Sequence, residues 1–119
     1  MKILAIDDDL DFLRLLTVRM VSLGYAIKTT ASPTVFLKEL TAEHYDVALV
    51  DFFIPLVGDA GLLLSDVFAP YANGTQVYIL TDADKSIVEK SLSHAVVKIR
   101  GILEKTNFFE NLQGVLCGA

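Results

Sequence analysis

Short apolar runs that stop at an acid or a hydroxyl alternate along this chain with segments whose apolar residues recur three and four apart. Ile3-Leu4-Ala5-Ile6 runs into Asp7-Asp8-Asp9, and Val47-Ala48-Leu49-Val50 runs into Asp51. Both are too short for a helix and rich in β-branched residues, so they read as strands buried on both faces. Gln76 to Leu80, closed by Thr81, is a further apolar strand. Tyr25 to Thr30 alternates more weakly and carries Lys28, as a strand at the wet edge of a sheet does, and Gly101-Ile102-Leu103-Glu104 is a last short strand.

Between the strands the period changes. From Leu10 to Leu23 the apolar positions Leu13, Leu16, Met20 and Leu23 share a helical face, with Asp9 or Asp11 at the positive end and Gly24 just past the last turn. Ser32 followed by Pro33 is an N-cap with proline at the first helical position, opening a helix whose face is Phe36, Leu37 and Leu40. Leu62 to Phe68 predicts a third helix that ends near Pro70, before an Asn73-Gly74 turn. Asp84 to Val97 predicts a fourth, on Ile87, Val88, Leu92 and Ala95; Thr106-Asn107 caps a fifth that carries Phe108, Phe109, Leu112, Val115 and Leu116. Phe52 to Gly61 is expected to be an apolar loop, because Pro55, Gly58 and Gly61 interrupt regular structure.

Five strands alternating with five helices give an α/β fold with a parallel sheet and helices on both faces, since each parallel crossover needs a helix and is right-handed. The near-continuous apolar strands belong in the centre and the other two at the edges. This matches the doubly wound order 2-1-3-4-5, an order already known for such sheets rather than one derived from the pattern alone. In it the first and third strands are neighbours, and their C-terminal ends bring Asp7 and Asp8 beside Asp51. Thr81 and Lys105 follow the fourth and fifth strands along the same edge.

Composition adds constraints. A chain of 119 residues is expected to be one domain over residues 1–119. Its hydrophobic share is 53% and its mean hydropathy +0.51, which leaves apolar surface for partners and makes a homodimer an expectation. A net charge of -5 without a basic run argues against direct nucleic-acid binding. Cys117 is the one cysteine, so no internal disulfide forms and a reducing, cytoplasmic setting is expected. The apolar run after Met1-Lys2 is too short for a signal peptide, and nothing approaches a membrane span.

The chemistry follows from the converging carboxylates. Like charges this close raise one another's pKa, and a hard divalent cation is the simplest counter-charge. Mg²⁺ takes oxygen ligands and is usually held by one or two carboxylates plus a phosphate oxygen. Thr81 offers a hydroxyl and Lys105 a positive point charge to an anion at the same place. Taken singly, Asp7 to Asp11 is an acidic helix start, Thr81 a strand-end residue and Lys105 a solvated lysine; their weight comes from being together. Lys98 is the rival to Lys105 but is expected at a helix end, and His44 and His94 are expected at the surface.

An acidic pair after strand one, an Asp after strand three with proline four residues on, Ser/Thr after strand four and Lys after strand five resemble the receiver domain of two-component response regulators. Asp7-Asp8, Asp51, Pro55, Thr81 and Lys105 stand at those positions, and the resemblance covers essentially the whole chain. It implies a flavodoxin-like fold and a phosphoacceptor rather than an enzyme acting on other molecules. Asp51 would take a phosphoryl group from a sensor histidine kinase or phosphotransfer protein, and the domain would then switch a face that binds a downstream protein. It also implies Mg²⁺ held by Asp8, Asp51 and the backbone carbonyl of Phe53, with Asp7 acting mostly through bound water. Thr81 and Lys105 would bind the phosphoryl oxygens.

Some positions depart from the family's pattern. Asp82 stands where it usually has a small residue, Thr106 where it has proline, and Ile102 where it has an aromatic switch residue. The loop Leu56 to Gly61 is about two residues out of the common spacing. Phe53 cannot orient a hydrolytic water, and Ala83 cannot compensate, so a long-lived phosphorylated state is expected. Two other readings stay open: a pseudo-receiver that acts only as an interaction module, and a haloacid-dehalogenase-like phosphatase, for which too little chain follows Lys105.

Overall fold

The computed structural model describes residues 1–54, 58–59, 74–82, 85–91, 99–105 and 108–109. Strand β1 is Lys2–Ile6, helix α1 Leu10–Ser22, strand β2 Ala26–Thr30, helix α2 Pro33–Ala42 and strand β3 Val47–Asp51. Two short strands follow, β4 Phe53–Ile54 and β5 Gly58–Asp59, then β6 Gln76–Thr81, helix α3 Lys85–Ser91 and β7 Ile99–Glu104. The main sheet is five-stranded and parallel throughout, in the order β2-β1-β3-β6-β7. This is the doubly wound 2-1-3-4-5 order matched to the sequence, with β2 and β7 at the edges as the apolar patterning required.

Period-two alternation sends neighbouring strand residues to opposite faces, and each face has its own core. Leu4, Ile6, Ala48, Val50, Val77 and Ile79 pack with Phe36 and Leu40 of α2 and with Val88 of α3. Ile3, Ala5, Val47, Leu49, Tyr78 and Leu80 pack with Leu13, Leu16 and Met20 of α1 and with Phe108. Helices therefore cover both sides, and this is why β1, β3 and β6 are apolar without a polar face. A helix as short as α2 is marginal in water. Full burial of Phe36, worth roughly 1.5–3 kcal/mol, holds it in place.

Helix boundaries follow local chemistry. Asp9 is the N-cap of α1, its carboxylate accepting from the Phe12 N–H at 3.1 Å. At the other end the Gly24 N–H donates to the Val21 carbonyl and the Tyr25 N–H to the Met20 carbonyl, each at 3.0 Å. This is a Schellman turn, and Gly24 supplies its φ of +87°. Ser32 caps α2 through the Val35 N–H, with Pro33 at the first turn. Leu10, Leu15, Val18 and Val21 on α1 lie outside both cores and are exposed.

Two features differ from expectation. The stretch after Asp51 is not a plain loop: β4 pairs antiparallel with β5, Phe53 with Asp59 and Ile54 with Gly58. Pro55 and Gly58 do not prevent this, because the ladder uses backbone groups before the proline and Gly58 closes it without a side chain. Strand β7 starts at Ile99 rather than Gly101, and its register slips: Val77 pairs with Ile99 and Tyr78 with Gly101, leaving Arg100 as an extra residue. The helix expected over Leu62 to Phe68 lies outside the described residues. So do the ends of those predicted to reach Val97 and Leu116. Among the described residues no helix is long and apolar enough to cross a membrane.

Candidate functional site

The C-terminal ends of β1, β3, β6 and β7 meet in a cleft of about 400 Å³ lined by Asp8, Asp9, Asp51, Thr81, Asp82 and Lys105 among others. Sheet register puts them there. Asp51 pairs with Leu80 and Thr81 with Glu104, so Asp51 and Thr81 end their strands almost level and Lys105 is the next residue of the last one. The Phe52 N–H donates to the Leu80 carbonyl at 2.8 Å and so continues the pairing one residue beyond Asp51.

Asp7 is fixed by the turn that leads into α1. Its N–H donates to the Thr30 carbonyl at 3.2 Å, and its Oδ1 accepts from the Asp9 N–H at 3.0 Å. The other oxygen, Oδ2, is buried and makes no well-angled hydrogen bond; the Lys105 ammonium stands 2.7 Å away as an ion pair. Lys105 Nζ is also 3.1 Å from Asp51 Oδ1, 3.9 Å from Asp82 Oδ2 and 5.1 Å from the centre of the Phe12 ring. Phe12 thus gives the lysine an aromatic floor. It is wedged against Phe108 and Phe109, with ring centres 6.1 and 5.6 Å away.

Burial and charge set the protonation states. Asp7 and Asp51 are both buried, at 1% and 6% exposure. Burial above all, then the Asp7 charge, pushes the Asp51 carboxyl up to about 7, against the opposing pull of Lys105. Asp7 is likewise raised, mainly by burial, although Lys105 and the Asp9 N–H favour its charged form. Burial disfavours the charged lysine, but Asp7 and Asp51 together outweigh it and raise the Lys105 pKa. The ammonium is therefore a fixed charge shared by two carboxylates.

The residues expected from the sequence are brought together. Carboxylate oxygens of Asp7, Asp8 and Asp51 lie within 4.8 Å of one another, two of the residues buried and Asp8 exposed at the mouth. Hard oxygen donors at this spacing fit a divalent cation such as Mg²⁺. Thr81 is buried at the cleft wall. The Phe53 backbone lies in β4, two residues past Asp51. The Phe53 side chain lies outside the described residues, as do Ala83, His94, Lys98, Thr106 and Cys117. Ile102 packs against the core that holds Val88. His44 is exposed, as expected, and has Asp46 at 3.7 Å.

Two contributors were not foreseen. Phe12 is not among the apolar positions that mark the first helix in the sequence, and the bond from the Asp9 N–H to Asp7 depends on turn geometry. The one available signal was the placing of Asp9 as a cap three residues before Phe12.

A family model of the response regulator receiver domain matches residues 3–116. Solved structures agree in fold. A response regulator receiver domain protein from Methanospirillum hungatei is 18% identical with a TM-score of 0.74, over 98% of this chain and 94% of that one. A response regulator from Thermotoga maritima, in complex with Mg²⁺ and BeF, is 20% identical with a TM-score of 0.77, over 98% and 96%. The receiver domain of a sensor histidine kinase from Pseudomonas aeruginosa, with a magnesium ion coordinated in its active-site cleft, is 21% identical with a TM-score of 0.80, over 97% and 93%. No curated protein matches the chain.

Proposed function

The chain belongs to the response regulator receiver domain family, and from that premise we propose that Asp51 is its phosphoacceptor. The observation that carries the reading is the Lys105 ammonium held between Asp7 and Asp51 in a cleft that also contains Asp8 and Thr81. A buried carboxylate next to a fixed cation and a hydroxyl is an oxygen nucleophile with anion-binding groups already in place. An Asp51 oxygen attacks phosphorus, the bond to the histidine nitrogen of a sensor kinase or phosphotransfer protein breaks, and an acyl phosphate results. Lys105 then turns from the Asp51 oxygen to the new phosphoryl oxygens, and Thr81 donates its hydroxyl to another.

The Thermotoga and Pseudomonas proteins hold Mg²⁺, and the oxygen cluster here fits the same ion. Asp8, Asp51 and the Phe53 carbonyl are its proposed ligands, with Asp7 contributing through bound water. The ion's chemical contribution is to neutralise negative charge shared by carboxylates and phosphoryl oxygens. Rearrangement of Lys105 and Thr81 changes the β6–α3 and β7 side of the domain, which is the proposed surface for a downstream protein partner. We place the protein in the cytoplasm, with residues 1–119 forming one receiver domain.

Incubation with a small-molecule phosphodonor and Mg²⁺, followed by intact mass measurement, tests the reading. The parent gains one hydroxylamine-labile phosphoryl group and Asp51→Asn gains none. An unmodified parent would point to a pseudo-receiver, and continuous release of phosphate at high turnover to a phosphatase.

A further inference from the structure

The rim of the cleft carries more negative charge than binding a phosphoryl group requires. Asp8 and Asp9 border it on the β1 side, and Asp82 borders it opposite, just past β6. The Asp82 side chain is 79% exposed, and among the described residues its ion-pair partner is Lys105 at 3.9 Å, beyond hydrogen-bond distance. Lys105 is already engaged at 2.7 and 3.1 Å by two buried carboxylates. Asp82 therefore does not orient the lysine; its charge faces the opening through which a donor must come. An acid ahead of α3 would also complement that helix's N-terminus. Such a role, however, requires neither a place on the cleft wall nor an approach to Lys105.

We propose that Asp82 selects phosphodonors by charge, disfavouring free dianions and admitting phosphoryl groups whose leaving atom or carrier brings positive charge. The proposal rests on the reading of Asp51 as phosphoacceptor. Acetyl phosphate and phosphoramidate separate the two donor classes. In both, the bond from phosphorus to the leaving atom breaks as the Asp51 oxygen–phosphorus bond forms. Acetate departs with the electron pair of a P–O bond. The protonated nitrogen of phosphoramidate takes the pair of a P–N bond and departs as ammonia. Acetyl phosphate meets Asp82 as a dianion, whereas phosphoramidate carries a positive nitrogen that partly offsets the repulsion.

The test measures initial phosphorylation rates of the parent and Asp82→Asn with each donor at saturating Mg²⁺, at low and high salt. Intact mass is the readout, because the chain contains no tryptophan to report by fluorescence. Asp82→Asn should raise the acetyl phosphate rate about tenfold at low salt and change the phosphoramidate rate much less. The parent's acetyl phosphate rate should climb with salt, and the variant's should lose that dependence. Equal changes with both donors, or no change with either, would overturn the charge filter, since a structural role at α3 would move both together. Failure of the underlying reading looks different: the parent is unlabelled by both donors, or Asp51→Asn is labelled like the parent.

Discussion

Lys105 Nζ lies 3.1 Å from Asp51 Oδ1, tying together the ends of β7 and β3, two strands separated in the sheet by β6. The lysine side chain is only 11% exposed, so the pair is dry enough that losing one partner leaves the other as an uncompensated buried charge.

Lys105→Met is accordingly expected to lower stability by about 3–5 kcal/mol near neutral pH without metal. The sign of its pH dependence follows from the carboxyls. Without the ammonium, Asp7 and Asp51 are raised further. A group whose pKa is raised in the fold contributes stability that is full at low pH and lost as pH rises through the folded value. The variant should therefore melt closest to the parent in acid and fall behind it as pH rises from the ordinary carboxylate range through the raised folded values. Thermal melts across pH check this; a constant deficit would mean that Lys105 contributes by packing on Phe12 alone.

Mg²⁺ binding should compete with a proton on Asp51. The carboxyl is pushed up to about 7, first by burial and then by Asp7. Only its ionised form is a ligand, so the apparent affinity falls about tenfold per pH unit below that value and levels off above it. Asp8→Ala should weaken binding at every pH by about tenfold or more. Calorimetric titration of both proteins reads both effects, and unchanged binding in the variant would leave Asp8 as no more than part of the turn into α1.

A second network ties α2 to the sheet away from the cleft. The Tyr45 hydroxyl donates to Glu39 Oε2 at 2.9 Å, and Lys28 of β2 reaches Glu39 Oε1 at 2.7 Å. Burial, then the bond to Glu39, pushes the Tyr45 hydroxyl up to about 12. Its contribution is complete below the ordinary tyrosine value of about 10 and is lost as pH climbs from there towards the folded value. Tyr45→Phe should cost about 1 kcal/mol at neutral pH. The gap between parent and variant should narrow across that alkaline window, as measured by urea unfolding.

Phe53→Asn is expected to shorten the lifetime of the phosphorylated state, because an amide two residues past Asp51 can hold the hydrolytic water where a phenyl ring cannot. Following phosphate loss after donor removal decides it. A variant no faster than the parent would show that this position does not set the lifetime.

Much of the fold could be read from the chain because a parallel sheet covered on both faces leaves β1, β3 and β6 polar residues only at their ends. Asp9, Gly24, Ser32 and Pro33 mark helix ends by local chemistry, which acts at short range and so is visible in sequence. The meeting of Asp7, Asp51 and Lys105 was legible only through strand order, which was matched to a known sheet rather than derived. The β4–β5 hairpin was missed because a ladder two residues long has no period to detect, and its Gly58 and the neighbouring Pro55 argue for a turn. The Phe12 floor under Lys105 is not legible because the contact joins α1 to the end of β7, and helical spacing carries no sign of a distant cation.

The slipped pairing at Arg100 has a mechanical consequence. Because β7 carries one residue more than β6 at that point, the phase of the strand beyond Gly101 is set afresh by its pairing with Tyr78, not inherited from the chain before Ile99. Arg100 acts as slack. The pairs from Tyr78–Gly101 to Thr81–Glu104 alone then fix where β7 ends, and Lys105, the next residue, lies beside Asp51.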